Sequence, residues 1–323
     1  MPTDFILSKT TPSNQTAGKS AVVDVFKITE IPTSMDRLGW TQGARLMRKW
    51  FDNPAYELPM DVKTGKASAS MLSPQQLLTD LPFEWLFSTS TRVKAPIDEL
   101  INNLRNVEEF NEFIGRLRNP LTQLSTGLLV FLMRLKRIGH IDTTNGLLQN
   151  ADEDFSGLSA MQLEETSQFN FIRIGASLWE KATDDLDDVY GALGSFAIKV
   201  AATRFRTRTN DNGWPAIFID EIGLYIRDSY DFLNVGDDQL LGYWNREKVI
   251  RPGPIDYFVE PDYLEKGGSR HFKVSNESFN QYRNKKKKGG DFMVFSTVKH
   301  YPVSIRLHLS NVDFQEFADR SAD

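Results

Sequence analysis

Asp228-Ser-Tyr-Asp231 puts two carboxylates and a phenol together at the end of a long apolar-rich stretch, Trp214 to Arg227. Asp228 and Asp231 are candidate catalytic and metal-ligating residues, and Tyr230 is a candidate to position substrate. On the two-residue period of a strand, Phe218, Ile222, Leu224, Ile226, Tyr230 and Phe232 share one face, and Asp228 falls on it. A carboxylate there must be paired, metal-bound or protonated, because an unpaired buried charge is costly. Strict alternation sets Asp228 and Asp231 on opposite faces, so they converge only where the strand bulges or ends. Meeting at a barrel mouth, they would hold Mg²⁺ or orient a water for attack on phosphorus. The plainer reading pairs Asp228 with an arginine and lets Asp231 begin a turn with Asn234 and Gly236.

Arg204, Arg206 and Arg208 recur at period two, so an extended chain places them on one face. Such a stripe suits a substrate phosphate, since each guanidinium binds two oxygens at once; it equally suits a solvated strand edge. Arg283 and Asp291 flank Lys285-Lys-Lys-Lys288, a run that reads as an exposed flexible loop able to attract an anionic membrane surface. Four scattered histidines, His140, His271, His300 and His308, match no metal spacing. Asp184-Asp-Leu-Asp-Asp188 reads as a charged helix face before a cation site. No G-x-S-x-G, P-loop or G-x-G-x-x-G occurs.

The elements that must position these residues change character along the chain. Residues 1–20 are polar and read as a tail, and 21–150 carry mostly helical signals. Within that region Val107, Phe110, Phe113, Ile114 and Leu117 form one apolar stripe. Leu121, Leu124, Leu128, Phe131, Leu132 and Leu135 form another, ending near Gly139. Ser73 to Leu78 and Pro82 to Phe87 read as short helices joined by turns, and polar, acidic 151–168 as a linker. From 169 to 323 the period becomes two: Phe196, Ile198 and Val200; Phe292 and Val294; Val303, Ile305, Leu307 and Leu309. Helices are expected at 175–189 and 276–283. The fold class is therefore α+β, a helical N-terminal region followed by a β-rich antiparallel barrel or sandwich.

Composition narrows the function classes. The chain has 323 residues, 40% hydrophobic, enough for a proper core. Its net charge of −5 gives no overall pull toward nucleic acid, which is not an expected partner. Without cysteine there is no disulfide, thiolate metal site or cysteine nucleophile. The N-terminus lacks the features of a signal peptide. The most apolar run, Leu128–Leu135, falls short of the about 18 to 20 residues of a membrane span. A soluble chain made in the cytoplasm is expected, reaching any other compartment by a dedicated route.

Asp188–Phe196, Gly223–Phe232, Leu241–Trp244 and Gly289–Ser296 together resemble an uncharacterised bacterial family encoded beside type VI secretion genes, over roughly residues 170–300. That resemblance implies a cargo or accessory protein of the injection machine, with a spike component and an immunity protein as partners. A looser resemblance is to the colicin M family, which degrades lipid II with a Mg²⁺-dependent β-barrel carrying D-x-Y-D. Asp228, Tyr230 and Asp231 match that pattern, but no histidine lies between Phe232 and Val249, where the family has a His-Arg pair. The missing acid or base would have to come from His300, His308 or Arg283.

Three functions follow as expectations. The first is an antibacterial effector delivered to the periplasm of a target cell, hydrolysing a phosphate-containing envelope lipid such as lipid II. In it Asp228 and Asp231 hold Mg²⁺ or activate water, Tyr230 positions substrate, and Arg283 offsets phosphate charge. The second is a non-catalytic adaptor that loads an effector onto the spike. The third is a metal-dependent nuclease with the arginine stripe as its phosphate track.

Overall fold

The computed structural model describes residues 26–105, 126–142, 147–175, 186–209, 215–233, 238–251 and 260–308. Hydrophobic spacing explains the first helices. After the short α1 (Ile31–Arg37), α2 (Thr41–Asp52) buries Gly43, Ala44, Met47, Trp50 and Phe51, three and four residues apart on one stripe. A short α3 (Met60–Thr64) follows. Of the two short helices expected here, the second does form, while the first, Ser73 to Leu78, is one 3₁₀ turn that runs into a strand, β1 (Leu77–Leu81). Its residues bury Leu78 and Leu81 by pairing in parallel with a late strand, a tertiary partner that local spacing does not reveal.

Next come α4 (Trp85–Thr89), α5 (Thr91–Arg105) and α6 (Thr126–Arg137). The apolar stripe of α6 buries Phe131, Leu132 and Leu135 as its spacing predicts. The stripe from Val107 to Leu117, and Leu121 and Leu124, lie outside the described residues. Beyond α6 run β2 (Ile141–Asp142), β3 (Leu147–Leu148), β4 (Ala151–Asp154), α7 (Ala160–Thr166) and β5 (Gln168–Ile174). The stretch 151–168 thus contains a strand and a capped helix. In α7, Ser159 and Gln162 form a reciprocal capping box.

Then α8 (Asp188–Leu193) leads into a long hairpin of β6 (Phe196–Thr209) and β7 (Pro215–Tyr230). The chain continues with β8 (Leu240–Trp244), β9 (Val249–Ile250), β10 (Tyr263–Lys266) and β11 (Ser269–Ser275). It closes with α9 (Asn276–Lys286), β12 (Phe292–Ser296) and β13 (Lys299–His308). The class is the expected one: a helical N-terminal region followed by a mixed α+β arrangement with curled, half-barrel sheets.

Two compact units interleave in sequence. The first takes Met1–Lys63, Asp185–Gly194 and Ser229–Phe292. Its four-stranded antiparallel sheet runs β10-β11-β8-β9. The second takes Thr64–Asp184, Ser195–Asp228 and Met293–Asp323. Its sheet runs β1-β12-β7-β6-β4, with β13 also on β7 and β5 also on β6. β7 is long enough for β13 and β12 to share one of its edges, and every residue from Ile222 to Arg227 is buried.

Candidate functional site

In the first unit the segment after α9 folds back along the segment after α2. Gly289 and Gly290 N–H donate to Asn53 and Trp50 oxygens, each at 3.0 Å, and Asp291 N–H donates to the Tyr56 oxygen at 2.9 Å. Gly289 has a φ of 94° and lies against the Trp50 indole, so a side chain there would be strained and would strike the ring. This return carries Asp291 into the interior, where it is 2% exposed.

The Asp291 carboxylate is fully engaged. Its Oδ1 accepts from Trp50 Nε1 at 3.1 Å and pairs with Arg283, and its Oδ2 accepts from Leu58 N–H at 3.3 Å. Lys63 Nζ stands 3.8 Å from that Oδ2 and 3.2 Å from Asp231 Oδ2. Arg283 further donates Nε to the Gly289 oxygen at 2.8 Å and reaches exposed Glu57 at 3.1 Å. The result is a line of alternating charge: Asp231, Lys63, Asp291, Arg283, Glu57. Burial pushes the Asp291 carboxyl up to about 6, with Arg283 and the Trp50 N–H pulling it down and Asp231 adding to the rise.

The structure thus joins two of the sequence-derived residues, Asp231 and Arg283, through Lys63 and Asp291. Asp231 also accepts the Leu233 N–H on Oδ1 at 3.0 Å, the bond that starts a turn. Tyr230 is a core residue. Its ring stacks on Phe292 at 5.1 Å, its hydroxyl lies 3.6 Å from Met47 Sδ, and burial pushes its pKa well up. Asp228 is half-buried and ends the second unit's share of β7, so it belongs to a different unit from Tyr230 and Asp231. The buried charge on β7 is its neighbour Arg227, because both faces of the strand are covered and the period-two reading followed only one. Among the described residues no group of three or more His, Asp or Glu stands ready for a metal ion.

The arginine stripe is a ladder of ion pairs across β4, β6 and β7. Arg204 faces Asp154 at 3.3 Å and Glu221 at 3.5 Å, and Arg208 faces Asp152 at 2.6 Å. Arg206 binds both oxygens of Asp220, at 3.0 and 3.1 Å, which raises its pKa. The lysine run is not a loop: Lys285 and Lys286 close α9, where cations complement the helix dipole, and Lys287 caps it in the left-handed region.

In the acidic cluster, Asp187 caps α8 through the Tyr190 N–H, and buried Asp188 caps α2 instead of lining a helix face. Asp188 accepts from Gly43 N–H at 2.7 Å and Gln42 N–H at 3.0 Å. His300 faces Glu221 at 3.1 Å and His140 faces Glu153 at 2.9 Å. The His308 side chain, Asp184, Trp214, Asn234 and Gly236 lie outside the described residues.

Lys63 and Asp291 escaped the sequence reading. Asp291 had one available signal, a carboxylate directly before the apolar run Phe292–Phe295. Lys63 had none, since its partners are distant in sequence. A family model described as a family of unknown function, DUF6402, matches residues 26–311. No curated protein and no solved structure matches the chain.

Proposed function

The chain thus belongs to DUF6402, and we propose that it acts as a non-catalytic adaptor that loads an effector onto a type VI secretion spike. The secretion setting rests on the resemblance of its four sequence segments. The observation that carries the adaptor reading is the engagement of the groups named for catalysis. Tyr230 is sealed in the core, Asp231 is paired with Lys63 and bonded into a turn, and Arg283 is held by Asp291 and Glu57. A substrate-positioning phenol must reach substrate, and this one touches methionine and phenylalanine. The N-terminal region meanwhile exposes Met60, Met71 and Met133, unbranched side chains that adapt to a partner's surface.

A second reading, the periplasm-delivered effector acting on a phosphate-containing envelope lipid, has one observation in its favour. Asp291, with a carboxyl pushed up to about 6, stands beside Lys63 and Arg283, and such perturbed groups cluster at reactive sites. An immunity protein would then be a partner, and Mg²⁺ would need ligands drawn from Asp228 or Asp231.

Expression of the chain in a bacterial host, in the cytoplasm and behind a periplasmic signal, separates the two. The adaptor predicts no toxicity in either compartment and co-purification with a spike component. Periplasm-only lysis, abolished by Asp228→Asn or Asp231→Asn in a folded protein, would overturn it in favour of the effector.

A further inference from the structure

The second unit gathers cations on one sheet face in a pattern unlike the neutralised ladder of Arg204, Arg206 and Arg208. The register sets Phe171, Lys199 and Tyr225 opposite one another across β5, β6 and β7. The next row along the same strands is Arg173, Ala197 and Arg227. Residues two apart on a strand point the same way, so all six side chains leave the same side of the sheet. Ala197, with a single methyl, therefore lies between two arginines whose Cα atoms are about 10 Å apart. It is half-buried, so solvent still reaches it.

Among the described residues, Glu164 of α7 is the carboxylate seen to pair with these cations. Its Oε2 accepts from the Tyr225 hydroxyl at 2.7 Å, and its Oε1 lies 3.4 Å from Arg227 Nε and 3.8 Å from Lys199 Nζ. Arg134 of α6 adds a further cation, with Nε and Nη1 bound to the main-chain oxygens of Glu164 and Gln168, each at 2.9 Å. Main-chain oxygens orient a guanidinium without neutralising it. Arg134 and Lys199 thus share with Arg227 a carboxylate already bonded to Tyr225. The crowding is felt at Lys199, whose pKa is lowered by burial first and by Arg227, Arg134 and Arg173 in addition, against Glu164.

The rim is apolar on one side. Phe171 is 45% exposed, with Lys199 Nζ 4.9 Å and the Arg173 guanidinium carbon 5.8 Å from its ring centroid. Ring contacts of this kind hold flexible cations in place.

We propose that the depression floored by Ala197 is an anion site that takes a phosphate group, with Arg173 and Lys199 as its ligands and Phe171 as its apolar wall. A phosphate offers oxygens to a forked guanidinium and to an ammonium at once, and its charge of up to two offsets both. The site's residues all belong to the second unit, and the proposal does not rest on the adaptor reading. The phosphate belongs either to a small soluble molecule or to a phospholipid headgroup.

Calorimetry on the full chain with inorganic phosphate and pyrophosphate, at low ionic strength, tests the soluble source. Flotation with phosphatidylglycerol vesicles, against neutral phosphatidylcholine vesicles, tests the headgroup. Arg173→Gln, at an exposed position, is expected to weaken whichever binding occurs by roughly tenfold, as for loss of a charge-assisted bond. Ala197→Glu, which sets a carboxylate on the floor, is expected to abolish it. Should Ala197→Glu fail to fold, Arg173→Gln decides alone. Absence of binding in both arms, or an Arg173→Gln protein that binds like wild type, overturns the proposal.

Discussion

Substituting Asp291 by asparagine should change how stability depends on pH, by an amount the structure fixes. The Asp291 carboxyl sits at about 6 in the folded protein against 3.8 for an ordinary aspartate, with burial the largest cause. A raised folded-state pKa means that the folded chain binds the proton more tightly than the unfolded chain. Its contribution to stability is therefore fully present below about 3.8 and is lost as pH rises through about 6. Each pH unit between those values is worth about 1.4 kcal/mol, which makes the whole effect roughly 3 kcal/mol. Asparagine cannot titrate. Neutral asparagine stands in for the protonated carboxyl, so the variant lacks the Asp291 titration, and any pH-independent offset between the two proteins does not alter the slope of their difference. Urea unfolding at intervals from about pH 4.5 to about pH 7.5 isolates the titration as wild type minus variant. That difference should fall by about 2 kcal/mol over the interval and be flat above about pH 7. A difference that stays level across the range would refute the argument that Asp291 is ionised at neutral pH against the resistance of its surroundings.

Arg283→Met should destabilise the first unit by roughly 3 to 5 kcal/mol, since it leaves Asp291 buried without its closest cation; a loss under about 1 kcal/mol in urea unfolding would contradict the network. Asp188→Ala removes the acceptor for the Gly43 and Gln42 N–H groups, and should lower stability by about 2 kcal/mol, read by thermal or urea melts. Arg206→Ala should cost less than about 1 kcal/mol by the same assays, because Arg206 and Asp220 meet at the surface.

The strands and helices were legible where apolar residues repeat on one local period. β6, β7, β12, β13 and α6 lie where alternation or helical spacing places them, because each buries a face whose membership is set by neighbours in sequence. β1 was not legible, since Leu77–Leu81 becomes a strand by adding to β12 more than two hundred residues away. The interleaving of the two units has the same origin: contacts between distant segments carry no period.

The site was half legible for a related reason. A carboxylate among apolar residues announces that something must compensate it, and Asp231 and Asp291 both obey that rule, yet the rule cannot name the compensating cation. For Asp231 it is Lys63, and for Asp291 it is Arg283 together with the Trp50 N–H. The same one-sided inference misdirected the reading of β7. Treating that strand as half-buried gave Asp228 the interior face and left Tyr225 and Arg227 to solvent. With α6 and α7 bringing Arg134 and Glu164 to the other face, Tyr225 and Arg227 are the buried pair, and Glu164 accepts from the Tyr225 hydroxyl and forms an ion pair with Arg227. A strand that carries apolar residues at nearly every position from Ile222 to Ile226 is better read as covered twice, and its polar residues as buried contacts on both sides. On that reading attention shifts from the D-x-Y-D acids to Lys199 and Arg173, the two cations of the proposed anion site.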